Sequence, residues 1–219
     1  MSDLLRRLLV PWGILLGVVL LVGLGLSVEN LDPPTPFAIP HAYRLLVGSE
    51  LFFLLVVVPL LVSGREAARR RGESRIRPSL GEHKVRPYLA LSLLLATAAP
   101  VVVVASWVSD CDWAPVAASQ GYLLVAAALA AGYVRADPAG LSLGWYWLAA
   151  GALGGGAPLI AFVAGDFLRA QVGWLYSLSP FWVADRLSRA WEFGWDWAVP
   201  FACLLLAAIG LFAWSLRRR

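Results

Sequence analysis

The chain has 219 residues, 60% hydrophobic and only 15% charged, with a mean hydropathy of +0.72 and a formal charge of +4. Soluble domains run near ~45–50% apolar and ~25% charged, so an ordinary soluble domain is excluded. Two cysteines, Cys111 and Cys203, exclude a disulfide framework, and no CxxC or Cys/His cluster offers a zinc or redox centre.

The apolar residues come in blocks of about 20, the length that carries a helix across a ~30 Å hydrocarbon core. In chain order the blocks fall at 8–28, 43–63, 88–108, 115–134, 144–164 and 196–216. The first follows Arg6 and Arg7 as a signal peptide would. It has no small-x-small cleavage site, so it is read as a retained span. The fourth is alanine-rich (Val125-Ala126-Ala127-Ala128-Leu129-Ala130-Ala131), nearly neutral toward lipid, and is expected to pack inside the bundle. The expected fold is therefore all-α: a polytopic membrane protein with six transmembrane helices and one transmembrane domain over 1–219.

Lysine and arginine set the orientation. Of the 18, segments 1–7, 64–87, 135–142 and 217–219 hold 14, and the other side holds Arg44, Arg169, Arg186 and Arg189. Both termini are expected in the cytoplasm and the protein in the inner or plasma membrane. This topogenic role accounts for the basic pI, near 9.4, without nucleic acid. All 11 tryptophans lie near proposed span ends or in outer loops, where headgroup-level rings belong.

The first outer loop, with Pro33, Pro34, Pro36 and Pro40, reads as extended. The inner loop Gly64–Pro87 is strongly basic. In the outer segment 165–195, Ser179-Pro180 reads as an N-cap followed by proline at the first helical position. Beyond it Val183, Leu187, Ala190, Trp191 and Gly194 recur at helical spacing, opposite Asp185, Arg186, Ser188, Arg189 and Glu192. That is a short amphipathic outer helix between spans five and six, lying either in the membrane surface or against the bundle.

No catalytic constellation is visible. There is no G-x-S-x-G, no H-E-x-x-H and no G-x-x-x-x-G-K-[ST], and His41 and His83 fall in predicted loops. Paired histidines for haem are missing from the spans, so neither cofactor nor metal is expected. The ionisable side chain clearly inside a span is Glu50, about 10 Å from the outer end of its helix at ~1.5 Å per residue. It is read as a pathway residue or as a polar link, either to a neighbouring span or to the Arg44/Arg169 region. Pro59, Pro100, Pro158 and Pro200 interrupt spans, and Gly154-Gly155-Gly156 precedes Pro158, which allows a kink, close packing or a local break.

The second span and its exit carry a more specific pattern. Leu51-Phe52-Phe53-Leu54-Leu55-Val56-Val57-Val58-Pro59 runs through Ser63-Gly64-Arg65-Glu66 into Ala67-Ala68-Arg69-Arg70-Arg71-Gly72. This resembles the second span of ABC-2 type transporter permeases, an apolar helix with a late proline leading into an "E-R-x-x-G" turn. Asp112-Trp113-Ala114-Pro115-Val116 is similar to that family's "G-x-x-W-x-x-V" opening of span four. Tyr176-Ser177-Leu178-Ser179-Pro180-Phe181 resembles its "S-P-F" segment before the last span.

The resemblance implies a permease subunit that pairs with a second permease, identical or related, and with separate ATP-binding subunits. It implies docking of such an ATPase on the turn formed by Glu66, Arg69, Arg70, Arg71 and Gly72. Where the family continues with an apolar coupling helix, this chain has Glu73-Ser74-Arg75-Ile76-Arg77-Pro78, charged and broken by proline. Either the ATPase is gripped electrostatically or normal coupling is lost. The alternative from another class is a non-transporting membrane subunit that anchors or assembles a larger complex.

Overall fold

The computed structural model describes residues 3–28, 40–62, 86–137, 141–169, 171–189 and 195–217. All regular structure among them is helical. The helices are α1 (Asp3–Val28), α2 (Pro40–Phe52), α3 (Arg86–Val108), α4 (Trp113–Ala136), α5 (Leu143–Gly151), α6 (Ala157–Asp166), α7 (Pro180–Arg189) and α8 (Trp195–Arg217). Wider π-type turns at Phe53–Val57 and Ala152–Gly156 extend α2 onward and join α5 to α6.

Five stretches are long and apolar enough to cross a membrane: Ala42–Val62, Leu89–Val108, Trp113–Ala136, Leu143–Asp166 and Trp197–Trp214. They coincide with expected spans two to six. The block expected at 8–28 lies in α1, whose apolar stretch Leu8–Gly23 is shorter. Pro40, expected in an extended loop, instead begins α2. A proline suits a helix's first residue, where an N–H has no partner inside the helix. His41 moves with it into that first turn.

Span four is the hub. It packs on α8, α3, α7 and span two, while α1 packs on α2 and α3. Half of each of spans two and four is buried, but little of spans five and six, which present their apolar faces outward. The alanine run explains the centrality: Ala126, Ala127, Ala130 and Ala131 are buried and recur every three to four residues on one face. Small side chains let neighbouring backbones approach.

Spans three and four join through a tight turn. Cys111 N–H bonds back to Ser106 O at 3.0 Å, with Asp110 between them in the left-handed region (φ 47°). On the other side of the bundle, Asp137 holds the start of α5. Its carboxylate accepts Leu141 N–H at 3.1 Å, and Ser142 N–H and Oγ–H at 2.6 Å each.

Trp12 corrects the tryptophan expectation. It is fully buried, donates Nε1–H to Leu94 O at 3.0 Å and packs on the Phe53 ring at 4.8 Å. It locks α1 to spans two and three and is no headgroup ring. Trp107, Trp113 and Trp145 are strongly exposed at span ends, as expected.

The two wider turns share one cause. A proline lacks the N–H that an α-helix would deliver to the carbonyl four residues back, and its ring crowds that carbonyl. Immediately before Pro59 the Val58 N–H reaches Phe53 O, and immediately before Pro158 the Ala157 N–H reaches Ala152 O. Each skips one residue and opens the helix ahead of the ring. The carbonyls whose α-helical donors the two prolines themselves withhold are Leu55 O and Gly154 O. Tyr146 O–H donates to the first at 2.6 Å and Ser179 Oγ–H to the second at 3.0 Å. In lipid an unpaired carbonyl is costly, and here a hydroxyl from another element meets each one.

Candidate functional site

The polar residues of the bundle gather along the seam between spans two and four, beneath α7. At one end Tyr43 O–H pairs with Ser119 Oγ at 2.7 Å and lies 3.4 Å from Val116 O, while Tyr43 N–H donates to Ser109 Oγ at 3.1 Å. Tyr43 and Ser119 are fully buried. Seven residues further along the helix, Glu50 is also fully buried, and its Oε2 accepts from Gln120 Nε2 at 3.3 Å. Glu50 Oε1 has no hydrogen-bond partner.

The sequence left open whether Glu50 links to a neighbouring span or to the outer arginines. It links to span four. Arg44 goes elsewhere, its Nε and Nη2 both reaching Asp185 Oδ1 on α7, while Asp185 Oδ2 takes Arg189 Nη2 at 2.7 Å. An ionised carboxylate at membrane depth costs ~2.5–3.5 kcal/mol on insertion scales. One long hydrogen bond from a neutral amide returns only ~0.5–1.5 kcal/mol. Glu50 is therefore the least compensated polar group described in the fold.

The short helix α7 closes over this seam. α7 packs on α2 and α4, with Val183, Ala184, Leu187 and Ser188 buried. Of the two placements left open by its sequence, the bundle wins. The expected N-cap is present: Trp182 N–H donates to Ser179 Oγ at 3.4 Å, the same hydroxyl that meets Gly154 O. A Cβ at Gly154 would lie 3.1 Å from the Phe181 ring, so any side chain there makes the ring give way. Ala190, Trp191 and Gly194, the rest of the expected apolar stripe, lie outside the described residues, as do Glu66, Arg69, Arg70, Arg71 and Gly72.

The best-formed clefts hold about 10 Å³ each and are lined by apolar side chains. That is one water-sized void, so neither is a route for a solute. Among the described residues no group of His, Cys, Asp and Glu is placed to hold a metal. Cys111, in the turn between spans three and four, is a poor nucleophile. Burial raises its thiol pKa above the usual value, and the flanking Asp110 and Asp112 raise it further.

Sequence reasoning missed the polar partners Gln120, Tyr43 and Ser119 along the seam, and the separate Arg44–Asp185 pair. The available signal was Ser119-Gln120, two polar residues inside an alanine-rich span. The chain matches no family model, no curated protein and no solved structure.

Proposed function

We propose that this chain is the membrane-spanning permease subunit of an ABC-2 type transporter, with six spans and cytoplasmic termini. It works with a second permease and with separate ATP-binding subunits that hydrolyse ATP. The resemblance in the order of its motifs supports this reading. The structural observation that carries it is the short helix α7, capped at Ser179-Pro180 and seated on spans two and four just before the last span. Clefts among the described residues that hold about one water each fit a path that opens between two permeases, driven by ATPase closure acting through the inner loop.

A dry bundle equally suits a non-transporting anchoring subunit. Co-purification from native membranes separates the two: a Walker-A ATPase in stoichiometric amount supports the permease, and consistent recovery with some other complex and no ATPase refutes it. Within the permease reading, Arg69, Arg70 and Arg71 changed together to lysine leave insertion intact and weaken ATPase association, because lysine cannot fork onto carboxylates. Full retention of binding by this variant, by Glu66→Ala and by Gly72→Leu makes the loop merely topogenic. For orientation, Arg75→Cys and Arg217→Cys are labelled only from the cytoplasm and native Cys111 only from outside. Labelling of position 75 from outside overturns the six-span topology.

A further inference from the structure

We propose that Glu50 is a proton-binding site: its carboxyl carries a proton while the seam between spans two and four is closed, and releases it when the seam opens to water. The proposal does not depend on the transport reading. It rests on what surrounds the carboxyl. Leu46, Val47, Leu51 and Leu54, within about one turn of it on its own helix, are buried, as is Leu123 one turn from Gln120 on span four, and among the described residues the Gln120 amide is the one donor that reaches it. A protonated carboxyl uses these surroundings well. Its carbonyl oxygen is Oε2, which accepts from Gln120, and the proton sits on Oε1, the atom without an acceptor. A lone neutral O–H in a dry core is tolerable where a lone charge is not.

Among the described residues no cation pairs with Glu50. Spans one and three present no ionisable side chain over 8–23 and 89–108. Span four presents Tyr122 to the core and, about four turns beyond Gln120, Tyr133 and Arg135, the latter over the Phe212 ring; span five presents Tyr146, and Tyr43 shares the helix with Glu50. From α7 the facing charge is Asp185, held by Arg44 and Arg189. In the turn above, Asp110, Cys111 and Asp112 are acidic or neutral. The region also holds no void large enough for a hydrated metal ion among the described clefts. The sign of the linkage follows. The neutral form favours the closed seam and the ionised form the open one, so raising pH favours opening.

The test uses the full chain in nanodiscs at neutral pH. Infrared difference spectra of wild type minus Glu50→Gln should show a protonated-carboxyl C=O band that shifts down in D2O. Gln120→Leu should keep this band but move it to higher frequency, since its carbonyl loses its donor. If Glu50→Gln does not fold, the moved band in Gln120→Leu carries the assignment alone. Opening is read with Ser119→Cys in a Cys111→Ser, Cys203→Ser background, alkylated by a small neutral reagent with and without Glu50→Gln. The ratio of the two rates cancels the thiolate fraction of the probe and should rise several-fold with pH. Carboxylate bands alone, a band indifferent to both variants, a band lost when sodium replaces choline, or a flat rate ratio would each overturn the proposal.

Discussion

The Tyr146 hydroxyl meets the Leu55 carbonyl at 2.6 Å, on the one oxygen that Pro59 leaves without its helical donor. The Tyr146 ring also stacks on Tyr133 at 4.3 Å, so a single side chain ties span five to spans two and four. Tyr146→Phe keeps the stack and deletes the donor. The expected cost is about 1 kcal/mol of unfolding free energy in micelles. In a Pro59→Ala background the new N–H competes for Leu55 O, and the same change should cost less than half as much. An undiminished cost in the cycle would show that the ring alone matters.

At the second proline the roles differ. Ser179→Ala removes both the cap on Trp182 N–H and the donor to Gly154 O, for an expected loss of about 1–2 kcal/mol. Gly154→Leu pushes against Phe181 and should cost more than Gly154→Ala, where the ring has to give only a few tenths of an ångström. Thermal unfolding of the three variants ranks them. Equal losses for alanine and leucine would mean that Phe181 swings away freely.

Asp185 holds two arginines of unequal value. Arg44 is largely buried at 21% side-chain exposure, whereas Arg189 is 51% exposed and sits one helical turn away from Asp185. Solvent screens the second pair, so Arg189→Ala should change stability by less than ~0.5 kcal/mol. Asp185→Asn leaves Arg44 without its counter-charge and should cost ~1–3 kcal/mol. Raising salt should narrow the first effect and spare the second, as read by denaturant titration.

Cys111 supplies a pH prediction. Its thiol is held above the ordinary cysteine range by burial first, then by Asp110 and Asp112. Thiolate is therefore scarce at neutral pH, and alkylation by a water-soluble reagent should be slow and should keep rising with pH beyond the point where a free thiol levels off. Asp110→Asn with Asp112→Asn should move the rate profile toward lower pH without reaching the free-thiol curve, since burial remains. Cys203 is exposed on the apolar side of α8 and should resist charged reagents throughout.

What the chain reveals by pattern alone is the run length and the facing of each helix. Hydropathy located spans two to six to within a few residues, and Ser179-Pro180 marked the cap of α7. Alanine spacing put span four inside. Periodicity states which face is buried but not the axial register between two helices, so nothing in the sequence paired Glu50 with Gln120 or Arg44 with Asp185. The wider turns escaped for a related reason. Proline announces a missing bond, yet whether the helix kinks or widens depends on whether a donor stands opposite, as Tyr146 and Ser179 do.

Each of those prolines is thus half of a pair whose other half lies far along the chain, 87 residues from Pro59 and 21 from Pro158. Such pairs bind the inheritance of distant positions. A relative that loses Pro59 regains a backbone donor and is free to replace Tyr146 with phenylalanine. One that gains the proline without a hydroxyl opposite strands a carbonyl in hydrocarbon. Among related sequences, positions 59 and 146 should change together, as should 158 and 179.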